Sequence, residues 1–96
     1  MFKSPSPKEI VILELLATGS EMYGLEMVEA SAGGLKRGTV YVTLGRMEEK
    51  DLLHSKLEVS DAPGPPRRLY KISDHGLRAL RAWQLMQTAL TWGVTR

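Results

Sequence analysis

Two groups of residues in this chain have the types and spacing to do chemistry. The first is Lys36, Arg37, Gly38 and Thr39, followed by Tyr41 and Arg46. They head a stretch, 37–53, in which Val40, Leu44 and Met47 recur at i, i+4 and i+7. That spacing predicts a helix with one apolar stripe, and it sets Thr39, Tyr41, Val42, Gly45, Arg46 and Glu49 on the opposite face. A helix start presents unpaired N–H groups and the positive end of the helix dipole. Basic and hydroxyl side chains there suit a polyanion, phosphate above all. The second group is Arg67 and Arg68, directly after S-D-A-P-G-P-P at 60–66. Taken alone, the helical stretch reads equally well as an ordinary amphipathic helix with a solvated face.

Other chemistries find little support. The chain has no cysteine, so it has no thiol nucleophile, disulfide or Cys-ligated metal. His54 and His75 are isolated and read as surface residues rather than a base or metal ligands. No nucleophile–base pair, metal-ligand set or Gly-rich phosphate loop is present, so no catalytic residue, cofactor or metal is expected. The formal net charge is +2, from 13 basic and 11 acidic residues. A sum that small decides nothing about a nucleic-acid partner; the distribution carries the information.

Ninety-six residues make one domain with a modest core, burying roughly 60–70% of the unfolded surface, so a partner subunit would help. The apolar fraction, 43%, and the charged fraction, 25%, are those of an ordinary globular protein. No apolar run reaches membrane-spanning length, and the start lacks a signal-peptide pattern. With the missing cysteines, this fits a cytoplasmic protein.

The elements that must position the two basic groups can be read in order. Residues 1–5 are a loose arm. Ser6, Pro7 and Glu9 form a capping box with Pro at the first helical position. The first helix, with Ile10, Val11, Ile12, Leu13, Leu15, Leu16 and Ala17, is apolar most of the way round, which suits burial or a subunit contact. Gly19 ends it. A short connection, 20–24, leads to a second helix from about Tyr23 to Ala32, with Leu25, Val28 and Ala32 inward and Gly33-Gly34 as the stop. Leu35 plugs the core between this helix and the third. Three short helices with tight Gly-bearing turns make a helix-turn-helix plausible.

After Asp51 the period drops to two. Leu53, Ser55, Leu57 and Val59 share one face of a strand; His54, Lys56 and Glu58 share the other. The Pro-rich segment is a loop tip, and residues 67–72 return as the second strand of a hairpin. Ser73 then caps a final helix with two apolar stripes. One is Leu80, Trp83, Met86 or Gln87, and Leu90; the other is Leu77, Leu85, Ala89 and Trp92. A single small domain cannot easily cover both, so one is expected to meet another chain. The fold class is therefore mainly α with a small β-hairpin. It is a winged helix-turn-helix over 1–73 plus a C-terminal dimerisation helix over 74–96.

Four segments, in this order, resemble the PadR-like transcriptional regulators, specifically the smaller subfamily with a single C-terminal helix. They are I-L-E-L-L-A at 12–17, M-Y-G-L-E-M at 22–27, R-G-T-V-Y-V-T-L-G-R-M-E-E-K-D-L-L at 37–53, and R-R-L-Y-K-I-S-D-H-G at 67–76. The third contains the family's G-T-V-Y-x-T-L-x-R-x-E signature. The resemblance implies a homodimeric, usually repressing regulator that binds a two-fold-symmetric operator in double-stranded DNA, with the C-terminal helix paired to its counterpart. Two features depart from the family's pattern. Val42 stands where Pro is frequent, leaving the start of the third helix less rigid. The sequence also ends about four residues past Trp92, short of the extension from which relatives build an effector pocket.

On this reading the DNA-binding residues are Lys36, Arg37, Gly38, Thr39, Tyr41 and Arg46 on the third helix, whose front end enters the major groove. Arg can pair bidentately with guanine, and Thr can touch a thymine methyl or a phosphate. Tyr41 also reads as an aromatic packed on the second helix. Thr43 reads equally as packing or as a phosphate contact, and Glu48, Glu49 and Lys50 as a solvated end. Arg67 and Arg68 are wing contacts to the backbone or minor groove, with Lys56 and Lys71 as lesser members; charges on a hairpin edge also guard against edge pairing. Tyr23 and Lys8 read either as phosphate contacts or as packing, with packing the expected role. Leu80, Trp83, Met86 and Leu90 are the expected dimerisation residues. Trp83 and Trp92 read either as dimer-core packing or as a wall of an apolar cleft admitting a flat hydrophobic effector. The alternative function is a winged-helix protein–protein interaction module without DNA binding, against which Lys36, Arg37 and Arg46 argue.

Overall fold

The computed structural model describes residues 4–59, 61 and 63–94, with side chains described as far as Ala89. Residues 1–3 of the expected arm lie outside the described residues, as do the side chains of Leu90 and Trp92. The order is α1 (Pro7–Leu16), β1 (Met22–Tyr23), α2 (Gly24–Ala30), α3 (Val40–Glu49), β2 (Leu53–Glu58), β3 (Arg67–Ile72) and α4 (Asp74–Val94).

Local chemistry sets the helix ends. Ser6 Oγ accepts from the Glu9 amide at 3.3 Å, and the Glu9 carboxylate accepts from the Ser6 amide at 2.9 Å. The capping box expected at α1 is therefore formed. Ile10, Ile12, Leu13 and Leu16 are buried, with Val11 and Leu15 packed beside them. At the far end of α3, Asp51 takes φ +66° and the Leu52 amide donates to the Met47 carbonyl at 2.9 Å. This is a Schellman-type stop, which turns the chain straight into β2.

The second helix differs from expectation. It is two turns long, and Met27 is its core residue, fully buried, while Leu25 is 42% exposed. Gly24 and Met27, three apart, form the inward face, which places Leu25 about 100° away from Gly24. Ala32, expected inward, lies past the helix in the left-handed region at φ +50° and is exposed. Leu35, on the connection from α2 to α3, is buried in the core, with its amide donating to Ser31 Oγ at 2.9 Å.

The expected hairpin is part of a three-stranded antiparallel sheet of order β1-β3-β2. Leu53 lies opposite Ile72, Ser55 opposite Tyr70 and Leu57 opposite Arg68. Met22 and Tyr23, expected within a plain connection, pair with Tyr70 and Leu69. The inward face is buried only at its base, at Leu53, Tyr70 and Ile72; Leu57 and Val59 are exposed, so the hairpin projects from the core.

The start of α4 is built into the domain. Ser73 Oγ accepts from the Gly76 amide at 2.9 Å and donates to the Asp51 carbonyl at 2.6 Å. Ala79 and Leu80 are buried, with Leu77 and Trp83 packed against the core. Leu80 was expected in a subunit contact; at 4% exposure it belongs to the chain's own core. Every residue from 84 to 89 is exposed, including Leu85 at 70% and Met86. Among the described residues, no helix is long and apolar enough to cross a membrane.

Candidate nucleic-acid interface

The outward face of α3 rests on the burial of its other face. Val40, Leu44 and Met47 are each at most 1% exposed, so the expected stripe is the inner one. Lys36, Arg37, Gly38 and Thr39 form the exposed turn that leads into the helix. The amides of Thr39 and Val40 both donate to the Lys36 carbonyl, at 3.2 and 3.0 Å, which tightens that turn. Thr39 is the N-cap, but its side chain makes no capping hydrogen bond. Arg46 is exposed in the last turn of the helix. Thr43 is half-buried and its hydroxyl donates back to the Thr39 carbonyl at 3.3 Å.

Tyr41 combines its two expected roles. Its ring lies over Gly24 at the start of α2, and the residue is still 51% exposed.

The wing cations are held in place by partners that sequence patterning does not reveal. The Arg67 guanidinium lies 4.1 Å above the ring centroid of Tyr23, a cation–π contact. The Tyr23 hydroxyl donates to Glu58 Oε1 in a short hydrogen bond. That bond to Glu58, with smaller help from burial and the carboxylate charge, holds the phenol above its ordinary pKa, partly opposed by Arg67. Arg68 Nη1 donates to Ser55 Oγ at 3.1 Å, and Ser55 Oγ donates to Glu48 Oε2 at 2.8 Å. Lys56 pairs with Glu21 at 3.5 Å. Lys71 is exposed opposite His54, itself exposed as expected.

The end of α3 is therefore not simply solvated. Glu48 is tied through Ser55 to Arg68, and Lys50 Nζ meets Glu9 Oε2 at 2.8 Å across the domain. Burial raises the Glu9 pKa, but Lys50 and the Ser6 hydrogen bonds outweigh it and hold the carboxyl below its ordinary 4.5. Tyr23, Glu48, Ser55 and Glu58 are the positioning residues that the sequence reading missed. Their partners lie 7 to 35 positions away, beyond any helical or strand period.

The arrangement is three helices, a projecting basic hairpin and a fourth helix that runs on from the domain. The family model of the transcriptional regulator PadR-like family matches residues 12–82, from the middle of α1 to the point where α4 leaves the core. The chain belongs to the PadR-like family of transcriptional regulators. Among solved structures, a PadR-like transcription factor from Bacteroides fragilis is similar at 27% identity with a TM-score of 0.81, over 91% of this chain and 85% of that one. A PadR family transcriptional regulator from Eggerthella lenta is 28% identical with a TM-score of 0.77, over 91% and 77%. Bacillus subtilis PadR, solved in complex with operator DNA, shares the fold at 17% identity and a TM-score of 0.71, over 79% of this chain and 46% of that one. No curated protein sequence matches.

Within this PadR-like chain the expected interface residues form two sets. Lys36, Arg37, Gly38, Thr39, Tyr41 and Arg46 are all exposed on α3 and its approach, and Arg67 and Arg68 are exposed on the wing. The Arg68–Ser55–Glu48 chain ties the wing to the last turn of α3. Of the expected assembly residues, Leu80 is internal, Trp83 is half-buried against the core, Met86 is exposed and Leu90 lies outside the described side chains. Trp83 alone represents the expected effector wall, since Trp92 is likewise outside them.

Proposed function

We propose that this chain is a sequence-specific DNA-binding repressor that acts as a homodimer on a two-fold-symmetric operator. The observation that carries the reading is the division of α3. One face is sealed into the core, while the other, headed by Lys36, Arg37 and Thr39, is exposed, as are Arg67 and Arg68 on the wing. A helix so placed presents its front end to the major groove while the wing follows the backbone. The operator complex of Bacillus subtilis PadR, a protein of the same fold, supports DNA as the partner. The uncovered apolar residues Leu85 and Met86 support a second copy packed along α4. That pairing would set two α3 helices about one DNA turn, ~34–36 Å, apart. Trp83, at the edge of this contact, would flank any small hydrophobic effector.

The test is a gel shift on the chain's own promoter DNA at two salt concentrations, with sedimentation in parallel. Specific binding by a dimer that weakens steeply with salt is the expected result, because phosphate contacts release counterions. Specific binding by a monomer removes the dimer. Loss of sequence preference at both salts removes the regulator reading.

A further inference from the structure

The basic residues around α3 surround a centre that is not basic. At about 3.6 residues per turn, the residues on the far side of the helix from Val40, Leu44 and Met47 are Val42, near its front end, and Glu49, two turns later at its last turn. Val42 is 56% exposed. Gly45 lies one turn further along the same face and Gly38 in the turn that leads into the helix; beyond the adjoining backbone, no atom lies within 4 Å of where a Cβ on either would stand. The front half of this face is thus bare backbone around a single branched apolar side chain, with Glu49 at its far end. Thr39 and Arg46 border it.

We infer that Val42 is a base-reading residue that selects for thymine through its C5-methyl group. This rests on the DNA-binding reading above. In the major groove the thymine methyl is the one apolar feature on the edge of a base pair. Valine has neither a donor nor an acceptor to offer the N7, O6 or N4 groups of a G·C pair. Seating it on them would strip those groups of water with nothing in return. Its β-branch also leaves one strongly preferred rotamer in a helix, so its methyls are held in a fixed place rather than adapting to each base. Gly38 and Gly45 lack the side chains that would keep the helix away from the groove floor. Thymine is therefore selected by shape and by burial of methyl against methyl, while Arg37 and Arg46 supply attraction around it.

The experiment selects duplexes from a random library with the wild-type protein. Each thymine of the selected site is then replaced in turn by deoxyuridine, which keeps the pairing and removes only the methyl. Affinities are measured for wild type and Val42→Ala, with circular dichroism to show that the variant folds. At one thymine or more, deoxyuridine should weaken wild type roughly three- to fivefold, the scale of one buried methyl. Val42→Ala should bind the thymine site about as weakly and no longer respond to deoxyuridine there. A variant that responds like wild type at every thymine overturns the assignment of Val42 while leaving DNA binding intact. A selected site with no methyl-sensitive thymine does the same. Failure of the library to enrich at all overturns DNA reading itself, a distinct result.

Discussion

The ring of Tyr41 lies on the backbone of Gly24, so that a Cβ at Gly24 would come within 2.7 Å of Tyr41 Cε1 and 2.9 Å of Cζ. This contact sets how closely the start of α2 approaches α3, and hence how α3 stands out from the domain. Alanine in a helix is ordinarily better than glycine by up to about 1 kcal/mol. Here Gly24→Ala should instead destabilise by ~1 kcal/mol, since the ring must move. In a Tyr41→Ala background the same change should be neutral or stabilising. Urea unfolding of the four proteins measures the coupling, and additive effects would show that the contact carries no energy.

Two other glycines should respond in opposite directions. A Cβ at Gly76 would stand 2.0 Å from the Leu52 carbonyl oxygen, which is backbone and cannot give way. Gly76→Ala should lose ~3 kcal/mol or more, as the start of α4 is pushed from the α3–β2 corner. Gly45 has open space around it, and Gly45→Ala should gain ~0.5–1 kcal/mol. Thermal midpoints of the two variants on either side of wild type would bear this out.

Acid should weaken the fold through Glu9. Its carboxyl is held below 4.5, against burial, by Lys50 and Ser6. A group with a lowered folded pKa contributes stability above its unfolded value and loses it as pH falls through the folded one. Lys50→Met should therefore cost most near pH 7, by about 1–3 kcal/mol, because it leaves the buried carboxylate of Glu9 without its cation. The gap to wild type should close as pH falls through the carboxylate range. Urea titrations from pH 3 to 7 would show it; a gap that ignores pH would mean that Lys50 acts through packing alone.

The wing should report on phosphate. Arg67→Ala with Arg68→Ala should lower affinity for specific and random DNA alike and flatten the salt dependence by ~1–2 units of slope. Ser55→Ala keeps both charges and removes only the hydroxyl that Arg68 and Glu48 share. It should weaken binding less and leave the slope unchanged. An unaltered slope in the double variant would take the wing off the DNA backbone.

What was legible in the sequence was what repeats. The Val40, Leu44, Met47 stripe spans two full turns, so its face could have only one answer. The capping box at Ser6 and the Ser73 cap are local and were equally plain. α2 is two turns long with apolar residues at Leu25, Met27 and Val28, so several faces fit; the contact of Gly24 with Tyr41 chooses among them. β1 has two residues, too few for any period. Leu80 was misplaced for another reason. A helical wheel collapses distance along the axis, and α4 passes from core to surface between Trp83 and Gln84. The same stripe thus serves two purposes at different heights. Polar links such as Tyr23–Glu58 join segments with no shared pattern at all.

The pairing of β1 with β3 bears on how the chain folds. Met22 and Tyr70 are separated by about half the sequence, yet they are neighbours in one ladder. On a ribosome, the corner between the first two helices is made well before its strand partner exists. Until β3 arrives, Met22 and Tyr23 have an unpaired backbone edge, and the helices must hold together by their apolar faces alone. Closing that long loop is entropically slow compared with forming helices. The docking of β3, which completes the sheet and brings Arg67 over Tyr23, should therefore be a late step in folding. A nascent chain stopped before it would show a sticky strand edge to its neighbours.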